Sequence, residues 1–325
     1  MLSNMQVFNT YVAPVIVEQF AQATDKFNAA SNGTILLTGE GFSGDYLESS
    51  FYHSLYASQR RVDRYAANAT NAGTNLTQGK DVDVKIAGGF GPILFEPSQL
   101  SWLRKPTQEG VLIAANQFVR AMVADELNTA IMSLVAALEN VAAVTTDVSG
   151  SAGMSQGLIN DSLAKFGDAS QRIQALVMTG AAYHKLVGAA ITNSNSLFEI
   201  GGVAVREGTA FGQGRPIVVT DAPALSEAGT PDKMKVLGLV AGAAMVRDGG
   251  DSITNIQNEN GSDRIKTSFQ TDYTFGLGLK GYAWDTVNGG KSPLDAELAT
   301  GSNWDATGVD IKASAGVIAV ADAAL

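Results

Sequence analysis

Among the residues whose types and spacing could do chemistry, Gly39-Glu40-Gly41-Phe42-Ser43-Gly44 stands out. It follows the strand-like Thr34-Ile35-Leu36-Leu37, and a helix-like stretch is expected after it. Asp63 lies about 20 residues further on, where an acid that binds a ribose would stand in a dinucleotide fold. The context argues against that chemistry. Asp63 should end a second buried parallel strand, yet Ser58 to Arg61 is polar and charged, and no βαβ series follows. Glycines that shape a turn are the better reading. His53 and His184 are the only histidines, and neither has a Ser or Cys partner at a recognisable spacing; both are expected to be structural or surface residues. Gly212-Gln213-Gly214-Arg215-Pro216 lacks the Lys-Ser/Thr ending of a phosphate loop. Arg247-Asp248-Gly249-Gly250-Asp251 lacks the ligand spacing of a calcium loop. No catalytic residue, cofactor-binding residue or metal ligand is assigned, and the protein is not expected to be an enzyme.

Composition narrows the classes further. The 325 residues include no cysteine, which removes disulfides, thiolate metal sites and cysteine nucleophiles. Charged residues are 17%, hydrophobic residues 45%, and there are 35 glycines, the profile of a folded chain with many turns. A net charge of −10 argues against a free-standing nucleic-acid binder, though not against a protein that contains nucleic acid without gripping it. The N-terminal residues lack the basic and apolar regions of a standard signal, and no uninterrupted apolar run reaches the ~18 residues of a membrane span. Synthesis in the cytoplasm and no membrane association are expected.

The elements that would position any site begin with a helix after Pro106, with Thr107 as the expected N-cap. Leu112, Ala115, Val119, Val123, Leu127, Ala130, Leu134, Leu138 and Val141 form one stripe with spacings close to 3.6 residues. At ~1.5 Å per residue this helix would be on the order of 50 Å long. A mechanical rod and the central helix of a bundle fit the pattern equally. Residues 1–31 predict a partly helical arm, 33–38 a strand, and Tyr46 to Tyr56 a short helix. Residues 57–92 predict a long hairpin, polar at first and alternating from Asp81 to Ile86. Such a hairpin is marginal alone and needs something to rest on. Residues 145–155 predict a loop. Mixed helix and strand follow over 159–187, short strands at 200–205 and 216–220, and a strand or strand pair over 236–246. Phe269, Thr271, Tyr273, Phe275, Leu277 and Leu279 share one face of a strand weakened by Gly276 and Gly278. A last strand is expected within 309–320.

The order of these pieces resembles the major capsid proteins of tailed bacteriophages, whose fold is named after phage HK97. The stretches most similar are Val177 to Leu186, Ile200 to Thr209, Gly214 to Pro223, Phe275 to Asp285 and Ala299 to Asp305. The resemblance covers nearly the whole chain and implies an α+β capsid fold. An N-terminal arm and the start of a peripheral domain would take 1–52, an extended hairpin (the E-loop) 53–95, and a peripheral domain with the spine helix 96–144. An inserted axial domain would take 145–250 and returning peripheral strands 251–325. It implies a coat protein of the virion that assembles with itself in hexamers and pentamers into an icosahedral shell around double-stranded DNA, without sequence-specific binding. A portal is implied as a partner, and a decoration protein is left open. Many relatives begin with a long scaffolding segment that is later removed. This chain starts at the arm, so a separate scaffolding protein is expected. Expected subunit contacts are Arg60, Arg61 and Arg64 in the hairpin and Arg215 near the axial domain. The alternatives are an encapsulin-like compartment and an oxidoreductase built on Gly39–Gly44.

Overall fold

A computed structural model describes residues 19, 22–25, 27–39, 41–52, 59–67, 70, 73, 75–76, 78–95, 107–192, 214–261, 263–307 and 310–325. Residues 22–25 and 27–30 are helical, as expected for the arm. The expected strand at 200–205, residue His53 and most of the N-terminal arm lie outside the described residues.

The structure is α+β and is organised by two sheets and one long helix. The first sheet contains β1 (Ile35–Thr38), β2 (Tyr46–Tyr52) and β3 (Gln78–Phe95) from the N-terminal part. It is completed by β9 (Ala244–Asp248), β10 (Ile253–Glu259) and β11 (Lys266–Leu279). The order is β1-β9-β11-β3-β2, with β10 also on β11. The β1–β9 pair is parallel and the other pairs are antiparallel.

Burial explains why these segments are strands. Val82, Val84 and Ile86 are buried on one face while Asp81, Asp83 and Lys85 are half-buried on the other, a period-two pattern. On β11, Thr271, Tyr273, Phe275, Leu277 and Leu279 are all buried on one face; the side chain of Phe269 is outside the described residues. The glycines of β11 are needed rather than merely tolerated. A Cβ at Gly276 would run into the ring of Phe42, and one at Gly278 into the carboxylate of Asp83.

Two expectations are corrected here. Residues 46–52 form a strand instead of a helix, because they pair from Tyr46↔Val84 to Tyr52↔Gln78 along β3. Their side chains offer no apolar helical stripe to bury, whereas the open edge of β3 supplies hydrogen bonds. The hairpin therefore begins at Tyr46. The expected loop at 145–155 includes a short strand, β4 (Thr145–Asp147), because the edge of a C-terminal strand lies parallel to it.

The second sheet runs β4-β14-β8-β5-β6, where β5 is Ile173–Met178, β6 Ile217–Val219, β8 Lys233–Val240 and β14 Gly316–Asp322. The short β7 (Ser226–Glu227) also pairs with β8. The two sheets interleave in sequence. Residues 244–248 join the first sheet, and the last strand of the chain closes the second. The expected 236–246 strand pair thus serves both sheets, linked by Ala241-Gly242-Ala243, where Gly242 takes φ +67°.

Helix α1 (Thr107–Glu139) has 33 residues, on the order of 50 Å of rod. Thr107 is its first residue rather than a cap preceding it. Side chains before Asn116, including the expected Leu112 and Ala115, lie outside the described residues. From Asn116 to Asp125 the helix buries one side only, through Val119 and Met122. From Thr129 to Leu138 nearly every side chain is buried, because the helix there touches β9 and β11 of one sheet, β14 of the other, and residues 223–225 and 295–306. Residues 116–139 are long and apolar enough to cross a membrane (mean hydropathy 1.4), but 61% of that window is packed inside the protein. A core helix passes the same test. Past the helix end, backbone N–H groups of Val141 and Val144 donate to the carbonyls of Leu138 and Val141, and Thr145 Oγ1 lies within hydrogen-bond distance of the same two oxygens (2.7 and 3.1 Å).

Helix α2 (Gln156–Ala164) is capped by Ser155, whose hydroxyl accepts from Leu158 N at 3.2 Å. Helix α3 (Gly180–Thr192) follows β5. Near the C-terminus, β12 (Tyr282–Trp284) pairs with β13 (Trp304–Ala306), enclosing the short helix α4 (Asp295–Leu298). Trp284 and Trp304 meet edge to face, with centroids 4.8 Å apart.

Candidate functional site

The candidate chemistry dissolves on inspection. Gly39–Gly44 leads into strand β2, so no helix N-terminus faces it, and Phe42 fills the space above Gly276. The N–H of Phe42 donates to the carbonyl of Asp248 at 2.9 Å, fixing the turn. Asp63 is exposed and accepts from Tyr65 N at 2.9 Å, a local turn contact. A dinucleotide reading of Gly39–Gly44 is thereby overturned: the motif lacks the strand–turn–helix geometry that the phosphate requires. His184 is exposed within α3 and meets the ring of Tyr183 edge to face. Among the described residues, no group of three or more His, Asp or Glu side chains is placed to hold a metal.

The strongest electrostatic perturbations belong to packing. Glu126 is buried on α1, and burial, with the nearby Asp248 and Asp125 carboxylates, raises its pKa to about 8. On the same helix, Asp125 accepts a 2.5 Å hydrogen bond from the Tyr273 hydroxyl of β11; burial and that bond push the phenol pKa well up. Lys235 of β8 is buried between Glu139 at the end of α1 (2.8 Å) and Glu227 of β7 (2.9 Å). Burial pulls its pKa down, but the hydrogen bonds to Glu139 and Glu227 outweigh this and leave it raised. Arg247 of β9 bonds Asp83 of β3 across the intervening β11. These groups tie helix and sheets together.

What the fold leaves uncovered is more telling. Leu47 and Tyr52 on β2, and Val62, Tyr65 and Leu76 in the segment between β2 and β3, are exposed, with Val62 67% and Tyr65 93% exposed. Arg60, Arg61 and Arg64 interleave with them and are exposed too. A second group sits in a loop held by Trp284, whose Nε1 donates to Gly290 O at 2.9 Å. Asp285 accepts from Val287 N and Asn288 N, and its hydrogen bonds to Asn288 and Val287 hold its pKa below the usual carboxylate range. That rigid turn presents Val287 at 85% and Leu294 at 71% exposure.

The fourth expected contact residue is placed differently. Arg215 is half-buried, and its guanidinium donates to the carbonyls of Ile173 (2.7 Å) and Ser170 (3.0 Å), which anchors the approach to β6. Arg60, Arg61 and Arg64 belong to the segment between β2 and β3 of the first sheet, Arg215 to the approach to β6 of the second. The sequence reading missed Val62 and Tyr65, although a Val and a Tyr among arginines in an otherwise polar stretch were a usable signal. It also missed Val287 and Leu294, whose only signal was an aliphatic pair inside an Asn/Gly/Ser/Pro-rich segment.

The comparisons with known proteins agree with a surface built for contact. A family model described as Gp13-like, major capsid protein 13-like, matches residues 4–318. No curated protein matches the sequence. A chain of the Cyanophage Pam1 capsid asymmetric unit is similar in structure, with a TM-score of 0.54 at 10% identity over 89% of this chain and 88% of that one. A chain from Microbacterium phage Oxtober96 gives 0.53 at 12% identity, covering 90% of each. One from Mycobacterium phage Cain gives 0.52 at 10%, covering 90% and 89%. Nothing in these matches favours an encapsulin-like compartment or an oxidoreductase. The chain belongs to the major capsid protein 13-like family, and it is a phage capsid shell protein with the HK97-like fold.

Proposed function

We propose that the shell is icosahedral, is built from hexamers and pentamers of this chain, and encloses phage double-stranded DNA in the virion. In this reading the protein works through its interfaces and performs no catalysis. The supporting observation is the hairpin, where one short stretch exposes Val62 and Tyr65 among Arg60, Arg61 and Arg64. Fully covering an aliphatic or aromatic side chain stabilises by roughly 1.5–3 kcal/mol, so these residues reward contact with a neighbour and gain nothing in a monomer. A protrusion of this kind folds and assembles in one event.

The segments take their roles from the family order. Residues 46–95 act as the E-loop, α1 as the spine, the second sheet as the core of the axial domain, and the first sheet with 282–306 as the peripheral domain. A net charge of −10 suits a wall that contains DNA without gripping it, since strong attraction would hinder packaging and release. A portal is the expected partner, assembly takes place in the host cytoplasm, and no membrane is involved.

Negative-stain microscopy and sedimentation of the purified protein, with its scaffolding protein if required, test the reading. Closed particles, or rings of five and six subunits, are the expected result. A strictly monomeric species at high concentration, with and without the scaffold, overturns it.

A further inference from the structure

We infer that Asn260 is a site of spontaneous deamidation, because its Asn-Gly pair is the one of three that the fold leaves open to it. The inference does not rest on the shell reading. An asparagine side chain is attacked by the backbone nitrogen of the next residue, and a glycine there leaves the approach unhindered because it has no Cβ. The chain contains this pair at Asn32-Gly33, Asn260-Gly261 and Asn288-Gly289.

Two of the pairs are restrained. Gly33 N donates to Asn28 O at 2.9 Å, and Asn28 is itself fixed to β1, its side chain donating to Leu37 O (2.7 Å) and accepting from Leu37 N (2.9 Å). Gly289 N donates to Asp285 O at 2.9 Å, and Asn288 Nδ2 donates to Asp285 Oδ2 at 2.5 Å. Gly289 is also buried against the Trp284 ring, which a Cβ there would strike. To react, the glycine nitrogen must lose its amide proton and turn its peptide plane toward the side chain. A hydrogen bond given by that N–H holds both the proton and the plane in place.

Asn260-Gly261 lacks these restraints. The pair follows Glu259 in the turn between β10 and β11, and both residues are exposed. Gly261 takes φ +110°, with no neighbouring atom within 4 Å of where a Cβ would stand. Among the described residues nothing accepts from Gly261 N, and nothing holds the Asn260 side chain.

The chemistry needs only water. Gly261 N, its proton taken up by solvent base, forms a bond to Asn260 Cγ; the bond from Cγ to Nδ2 breaks, and that nitrogen leaves as ammonia. Water then opens the succinimide at either carbonyl. One product is aspartate; the other is isoaspartate, with the chain routed through the side-chain carbon. Each conversion adds a negative charge to a chain already at −10. Isoaspartate also lengthens the backbone in the turn that sets the Glu259↔Lys266 register of β10 on β11.

Prolonged incubation of the full-length protein in mildly alkaline buffer, followed by peptide mass spectrometry, reads the amide-to-acid mass gain at each pair. A parallel incubation in urea gives the rates without the fold. In urea the three pairs should convert at comparable rates. In the folded protein Asn260 should keep its rate within a few-fold, while Asn32 and Asn288 slow by roughly tenfold or more. Asn260→Gln should remove the acidic variants that ion exchange resolves early in the incubation. Equal rates at the three pairs in the folded protein overturn the inference. So does conversion at Asn32 or Asn288 ahead of Asn260, an Asn260 silent in the folded protein, or the same ranking already present in urea.

Discussion

The ring of Phe42 occupies the place where any side chain at Gly276 would stand. Phe42 is buried, and its turn is pinned to the carbonyl of Asp248, so the ring cannot simply swing away. Gly276→Ala should destabilise by about 1–3 kcal/mol through overpacking. Phe42→Ala should cost several kcal/mol alone and much less in the Gly276→Ala background. Urea denaturation of the four proteins in this cycle measures the coupling; additive effects would show that the contact is not tight.

Glu126 predicts a pH dependence. Its folded pKa of about 8 lies above the ordinary 4.5, so the folded state holds the proton more tightly than the unfolded chain. Below about pH 4.5 both states are protonated and the group adds no slope. As pH rises from there to about 8, stability falls, and above 8 the full penalty is present. The ceiling of that penalty is roughly 5 kcal/mol. Glu126→Gln should flatten the stability profile between pH 5 and 8.5 and exceed the wild type at the alkaline end. Parallel profiles for the two proteins would contradict this.

Lys235 joins the end of α1 to the second sheet through two carboxylates. Lys235→Met keeps the stem and removes the charge, leaving Glu139 and Glu227 facing each other without their cation. A loss of about 1–3 kcal/mol at pH 7 is expected, short of a fully buried break because both acids reach water. The hydrogen bond from Lys235 depresses the pKa of Glu227, so its share of the stability is present above its unfolded value and disappears as pH falls through the lower folded value. The difference between mutant and wild type should therefore narrow in acid. Thermal melts at pH 7 and below pH 4 check both parts.

Removing the hairpin tip should separate folding from assembly. The cut must stop short of Gln78, because Val82, Val84 and Ile86 belong to the core. Replacing residues 58–74 with a short Gly/Ser linker should leave the melting temperature within a few degrees of wild type, since the described residues there are exposed. Closed shells should be lost. Normal shells by electron microscopy would take the tip out of the interface.

The legible parts of this fold were those whose reason is local. Alternation at 81–86 and 271–279 announced strands because the larger apolar side chains of each fall on one face, the opposite face carrying charged residues in β3 and glycines in β11. The stripe from Val119 to Leu138 announced α1 because its apolar residues recur at helical spacing. Strand β2 was illegible because Tyr46 to Tyr52 are mostly exposed, and their partner β3 begins 26 residues beyond the end of that strand. The burial of α1 on all sides after Thr129 was illegible because it takes two sheets, assembled from distant segments, to surround it. Among the proposed contact residues, Arg60, Arg61 and Arg64 could be named from their run of charge. Val287 and Leu294 could not: in a one-dimensional pattern they resemble core residues, and their loop is held by the buried Trp284, whose Nε1 donates to Gly290 O.

The three-residue link Ala241-Gly242-Ala243 carries one further implication. It joins β8, flanked by β14 and β5, directly to β9, flanked by β1 and β11. Lys280 clamps it by donating from Nζ to Ala241 O and from N to Ala243 O, and Gly242 N donates to Gly33 O. With so little slack in the link, β8 and β9 have little freedom to tilt independently of one another.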